Sequence, residues 1–284
     1  MIMDDRLAEE SAWHLSSFTG CTPYTHEFKV QEGNASERDE AFFRAEKAEI
    51  LFQCDKFQVL RFPEGVAFYR DAAGVLARAL LICSRDYGEM TAFVLRDQCP
   101  GREAGQLLTR KFPFRSTLSH ALEAGAALRS GIPMHAALVK QEGKGILFLG
   151  PSGMGKSTQA RLWEKYLGAD ILSGDRPCIR KTGDGWYAFG MPWDGKDRIL
   201  RQSSVKLSAI VVLEQAGENE ICQMTPAQSM AALLHQVSIP VWDQRAADAV
   251  LKSMGEAAQS LPFWHLKNKA DESCARLTCH AIFR

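Results

Sequence analysis

The sequence predicts an α/β protein in two parts, a smaller β-rich domain over residues 1–115 and an α/β domain over residues 116–284. Three observations predict it. Short apolar runs punctuated by turn residues fill the stretch from Ala48 to Asp97. A helical period follows from Ser116, and then "GILFLGPSGMGKSTQARLWEKYLG" reads as strand, glycine-rich loop and helix in that order.

Residues 1–40 are polar and weakly patterned, and "KVQEGNASERDEAFFRAEK" reads as an exposed loop leading into structure. The runs "AEILFQCDKFQVLRF", "GVAFYRD", "ARALLICSRD" and "MTAFVLRD" have the texture of strands. Pro63-Glu64-Gly65 and Ala73-Gly74 separate them, as in antiparallel hairpins or a meander. In "STLSHALEAGAALRSGIPMH", Leu118, Ala121, Leu122, Ala126 and Leu128 recur at helical spacing, with Ser116 or Thr117 as N-cap and Gly131 to Pro133 as the stop. "MHAALVKQEGKGILFLG" gives two short strands around a turn at Glu142-Gly143-Lys144-Gly145. The helix "KSTQARLWEKYLG" stops at Gly168, "ADILSGDRPCIRK" is a strand that brings Asp175 to its tip, and "AIVVLEQAGEN" is an apolar strand ending at Glu214. Thr225-Pro226 caps a helix in "TPAQSMAALLHQV", on which His235 reads as packing or surface. "RAADAVLKSMGEAAQSLPFWHL" is a last helix followed by an apolar turn at Pro262-Phe263-Trp264. There is no internal repeat and no low-complexity tract.

Composition narrows the function. The 34 acidic groups balance 34 basic ones, which argues against a nucleic-acid partner. The opening "MIMDDRLAEESAWHL" lacks a basic region followed by an apolar core, and runs such as "ALLIC" at Ala79–Cys83 fall far short of a membrane span, so a cytoplasmic protein without a membrane partner is expected. Eight single cysteines with no C-x-x-C pattern read as reduced, mostly buried thiols. Cys274, Cys279 and His280 are read as structural rather than as a zinc site, because the spacing is unusual and no second ligand pair is near.

The chemistry concentrates in "GPSGMGKST", which fits G-x-x-x-x-G-K-[ST] between a strand and a helix. Gly150, Gly153 and Gly155 let backbone N–H groups, with those of Ser152 and Met154, turn inward around phosphate oxygens, and the following helix N-terminus adds partial positive charge. Lys156 is expected to reach the β- and γ-phosphates of ATP, and the Ser157 hydroxyl to ligate Mg²⁺, with Thr158 completing the loop. Asp175 stands where a carboxylate either holds Mg²⁺ or takes a proton from an acceptor hydroxyl; the plainer reading is a turn-forming aspartate. Glu214 is either a second acidic strand tip at the phosphate site or a solvated strand end.

"MHAALVKQEGKGILFLGPSGMGKST" resembles the segment of the HPr kinase/phosphorylase family in which a histidine-bearing strand and a short turn lead into the phosphate loop. On that resemblance His135 falls on the family's active-site histidine, Gly150–Ser157 on its phosphate loop, and "ILSGDRPCI" on the strand that carries two consecutive aspartates. "AFGMPWDGKDRI" and "VKLSAIVVLEQAGENEI" are more loosely similar to a bacterial branch of HPr kinase-like proteins, which share a nucleotide-binding core with ATP-dependent phosphoenolpyruvate carboxykinase. The likeness covers about residues 116–245 and implies a P-loop core of that kind, with homo-oligomers common among the related kinases. This sequence departs at the acidic pair, where Gly174 takes the first place and Arg176 follows Asp175. Two readings of His135 stand: an imidazole that partly fills the gap by relaying a proton with an aspartate, which its register with the loop favours, or a structural histidine preceding a strand. Arg176 reads as a clamp on the transferred phosphate or as a surface ion pair. In Gly190–Ile199, Lys196 and Arg198 read as anion clamps and Asp194 as a metal ligand, or the segment is a solvated β-turn.

The resulting expectation is an ATP-dependent kinase with His135, Asp175 and Lys156 as catalytic residues and Mg²⁺ on Ser157 and Asp175. Its acceptor is a hydroxyl, of serine type, on a protein, a peptide or a metabolite. Two alternatives stand beside it: a non-catalytic or regulatory ATP-binding module, and phosphoenolpyruvate carboxykinase chemistry, which needs a second metal site and an arginine-lined pocket.

Overall fold

The computed structural model describes residues 2–3, 29–55, 57–72, 77–96, 113–191 and 203–284. It is a mixed α/β structure with two sheets and six helices among the described residues. The chain divides into two compact units, one of Met1–Leu128 with Pro240–Ala247 and one of Arg129–Ile239 with Asp248–Arg284.

The first unit contains β1 (Ile2–Met3), β2 (Lys29–Glu32), α1 (Ala35–Lys47), β3 (Ile50–Gln53), β4 (Gln58–Phe62), β5 (Gly65–Ala72), β6 (Ala77–Ser84), β7 (Glu89–Arg96) and α2 (Pro113–Leu128). Its sheet runs β1-β2-β7-β6-β5-β4-β3. From β3 to β7 it is the antiparallel meander that the alternating runs predict. Helix α1 corrects the expectation of an exposed loop over residues 29–47. Ala41, Phe42 and Ala45 form a stripe that packs with Leu60, Phe62, Ala67, Leu80 and Phe93. Charged residues around that stripe hide it in a composition scan. Helix α2 packs on β5 and β6, with the His120 ring 4.3 Å from Phe57. It starts at Pro113, before the expected cap at Ser116 or Thr117, and belongs to this unit. The division therefore falls after Leu128 rather than after residue 115, because α2 buries its apolar side on the meander.

The second unit holds β8 (Gly131–Pro133), β9 (Ala136–Gln141), β10 (Lys144–Leu149), α3 (Lys156–Leu167), β11 (Asp170–Ser173), β12 (Cys178–Thr182), β13 (Gly185–Phe189), β14 (Ser204–Gln215), β15 (Glu220–Gln223), α4 (Pro226–Gln236), most of α5 (Gln244–Ser260), β16 (Phe263–Asn268) and α6 (Glu272–Ile282). The strand β16 replaces the expected apolar turn at Pro262–Trp264: Phe263 and Leu266 are buried, and the strand lies parallel to β14. The turn between β9 and β10 is tighter than expected, only Glu142 and Gly143, both at positive φ, while Lys144 and Gly145 already pair in β10.

Strand β14 organises the sheet. Its first residues pair antiparallel with β13, its middle runs parallel to β10, and its end runs parallel to β16. The C-terminal ends of three parallel strands thus lie side by side, and the loop after β10 leaves from that edge. Trp163, Phe148, Val211, Leu213, Leu266 and Cys274 share the core between this sheet, α3 and α6. No helix among the described residues is long and apolar enough to cross a membrane.

Candidate functional site

Residues 150–155 connect β10 to α3. Gly153 and Gly155 have φ of 85° and 99°, in the left-handed region that side chains disfavour. A Cβ on Gly153 would meet nothing within 4 Å, so backbone conformation, not crowding, selects glycine there. Gly155 is the N-cap of α3 and has no side chain to bond the first helical N–H groups, which leaves that helix end without a side-chain cap. The Gln215 amide at the end of β14 donates to the Gly153 carbonyl at 3.1 Å and ties the loop to the neighbouring strand.

Lys156 opens α3 and is 8% exposed. Its ammonium donates to the carbonyls of Gly150 at 2.7 Å and Pro151 at 3.1 Å. Burial pushes its pKa below the ordinary lysine value, and the charge of Asp175 opposes that shift. Ser157 and Met154 are half-buried; Ser152 and Thr158 are exposed.

His135 sits between β8 and β9 in a segment pinned on two sides. Its N–H bonds to the Gln236 carbonyl, and Ser238 bonds back to Pro133. On the other side Met134 bonds to the carbonyl of Pro177 and Ala136 to that of Asp175. These backbone bonds hold Asp175, two residues past the end of β11, against His135, and their side chains meet with Nε2 3.0 Å from Oδ1. That hydrogen bond is the largest influence holding the Asp175 carboxyl below its ordinary range; burial opposes it, and the charges of His135, Arg176 and Lys156 add to it. The structure therefore brings His135, Asp175 and Lys156 into one electrostatic neighbourhood beside the glycine loop.

Glu214 is engaged elsewhere, its Oε2 2.9 Å from His265 Nε2. Asp194, Lys196 and Arg198 lie outside the described residues. His235 is exposed. Among the described residues no group of three His, Cys, Asp or Glu side chains is arranged to hold a metal, and Cys274 and Cys279 are free thiols. The oxygens of Ser157 and Asp175 are of the hard type that Mg²⁺ takes, one or two from protein and the rest from water or phosphate.

Sequence reading missed a buried polar link from α3 to β16 and β14. Gln159, wholly buried on α3, donates to the Asn268 side chain at 3.3 Å, and Asn268 donates to the Glu214 carbonyl at 2.9 Å. The signal was a polar residue on the apolar side of α3, one turn past Lys156.

The model of one protein family, SynChlorMet cassette protein ScmC, matches residues 116–258, just over half of the chain. The chain belongs to that family. The region shared with ScmC runs from within α2 to within α5 and contains His135, the glycine loop, Asp175 and Glu214, but not His265. No curated protein matches the chain.

Proposed function

We propose that this ScmC-family chain is an ATP-dependent phosphotransferase of the HPr kinase-like type, built on a P-loop core, which passes the γ-phosphate to a hydroxyl acceptor. The observation that carries the reading is the His135–Asp175 contact of 3.0 Å in the field of Lys156, at the mouth of a loop whose glycines sit at positive φ.

In this reading the inward-turned amides of Gly150–Gly155 and the uncapped start of α3 bind the phosphates. Lys156 turns from the loop carbonyls to the β- and γ-phosphate oxygens and neutralises charge as it builds on them. Asp175 keeps His135 oriented through Nε2, and the pair accepts the proton of the attacking hydroxyl. Mg²⁺, when bound through Ser157 and Asp175, supplies charge neutralisation across the phosphates. Arg176 places a further positive charge beside Asp175.

A regulatory nucleotide-binding module is the second reading, favoured by the single acid at this strand tip, where Gly174 precedes Asp175. The two separate with γ-labelled ATP, Mg²⁺ and a library of serine-bearing peptides, with free L-serine alongside. Phosphate transfer to an acceptor, abolished in Lys156→Ala and lowered on the order of 100-fold in Asp175→Asn, supports the kinase. Saturable ATP binding without transfer to any acceptor supports the module.

A further inference from the structure

The second unit carries a nucleophile-type cluster that the proposed kinase site does not use. In the antiparallel pair of β15 and β16, Cys222 stands directly opposite His265, and Glu220 opposite Lys267. In the parallel pair of β14 and β16, Glu214 is level with Lys267. Ile221, Leu266 and Leu213 enter the core, so alternation puts Cys222, His265 and Glu214 together on the opposite face of the sheet. Directly opposed residues in such a pair hold their Cβ atoms about 4.5–5.5 Å apart, within reach of a thiol and an imidazole.

The imidazole is oriented. Glu214 Oε2 lies 2.9 Å from His265 Nε2, so that nitrogen is turned to the carboxylate as donor and Nδ1 is the ring atom left to serve as base. Lys267 is held 2.9 Å from Glu220 on the same face. Cys222 is exposed, as is Cys54, whose thiol instead donates to the Phe57 carbonyl at 3.7 Å. A thiol, a facing base and a carboxylate that orients the base form the arrangement that activates a nucleophile.

We propose that Cys222 is a nucleophilic thiol served by His265, with Glu214 as positioning residue, and that it is a modification site for small-molecule disulfides. His265 takes the thiol proton, and the Cys222 sulfur attacks one sulfur of the disulfide. A new S–S bond forms on Cys222 as the original S–S bond breaks, and the departing thiolate takes the proton from His265. The disulfide is the oxidant, and one free thiol is released per adduct. This site stands independently of the nucleotide reading.

The test incubates the full chain with oxidised glutathione at pH 7, quenches samples with acid, and maps mixed disulfides by peptide mass spectrometry. Cys222 is expected to react at least about ten-fold faster than Cys54, and His265→Gln to bring its rate down to about that of Cys54. Glu214→Gln falls between the two. The Cys54 rate in each variant reports whether the fold is intact; should His265→Gln fail to fold, the ratio of Cys222 to Cys54 in the unaltered chain decides. Equal rates at the two cysteines overturn the proposal, as does a Cys222 rate unmoved by His265→Gln in a folded chain.

Discussion

At Lys156 burial works against the ammonium, while two loop carbonyls and the nearby Asp175 hold it in place. Its folded-state pKa is lowered, so the charged form costs stability at neutral pH. That cost fades only as pH rises through the folded pKa towards the ordinary lysine value. Lys156→Met should therefore unfold at a higher temperature than the unaltered chain at pH 7, with the difference shrinking towards pH 10, as followed by circular dichroism. The same variant should lose nucleotide affinity, the trade expected of a functional charge held in a dry place. Asp175 has the opposite sign. Its depressed pKa contributes stability above the ordinary carboxylate pKa, and that contribution is lost as pH falls through the folded value. The margin of the unaltered chain over Asp175→Asn should accordingly be full at pH 7, begin to fall as pH drops below the ordinary carboxylate value, and be gone once pH is below the lowered folded value. A margin that persists in acid would mean that Asp175 acts through packing alone.

At the scale of elements, the loop and the helix caps make separable demands. Gly153→Ala meets open space, so its cost is the left-handed backbone, about 1–2 kcal/mol, read in the denaturation midpoint. Helix α4 begins with a reciprocal capping box between Thr225 and Gln228, and Thr225→Ala should cost about 0.5–2 kcal/mol without touching nucleotide binding. The strand, loop and helix of residues 144–168 were legible because glycines, a lysine and an apolar strand occur at fixed offsets, and Gly168 closes α3 as a left-handed C-cap. The capping box of α4 announced itself through Thr225-Pro226. Helix α1 did not, since its buried side is only Ala41, Phe42 and Ala45 among charged neighbours. Strand β16 was hidden by Pro262 just before it and by burial on both of its faces, Phe263 on one and Leu266 on the other, which erases the alternation that marks a half-exposed strand.

For the whole molecule, the sequence placed two units but not their boundary, because the partner of an amphipathic helix is a tertiary fact. Helix α2 packs on β5 and β6, and Pro240–Ala247 returns to the first unit, where the Trp242 ring lies 5.5 Å from both Phe52, tilted, and Phe68, edge to face. A chain lacking residues 1–128 leaves Trp242 without these rings and should bind hydrophobic dye more strongly than the full chain; equal binding would contradict the assignment of residues 240–247. The candidate site was legible in part. The loop pattern gave Lys156, the strand tip gave Asp175 and the resemblance to the HPr kinase/phosphorylase segment gave His135, whereas the Glu214–His265 pairing depends on a register between β14 and β16 that no local pattern encodes. The most direct measurement on the central claim is equilibrium binding of labelled ATP to the full chain, with and without Mg²⁺. The account predicts one saturable, magnesium-dependent site per chain, weakened at least about ten-fold by Lys156→Ala. Binding that is absent at millimolar ATP, or that is indifferent to Lys156, would contradict it.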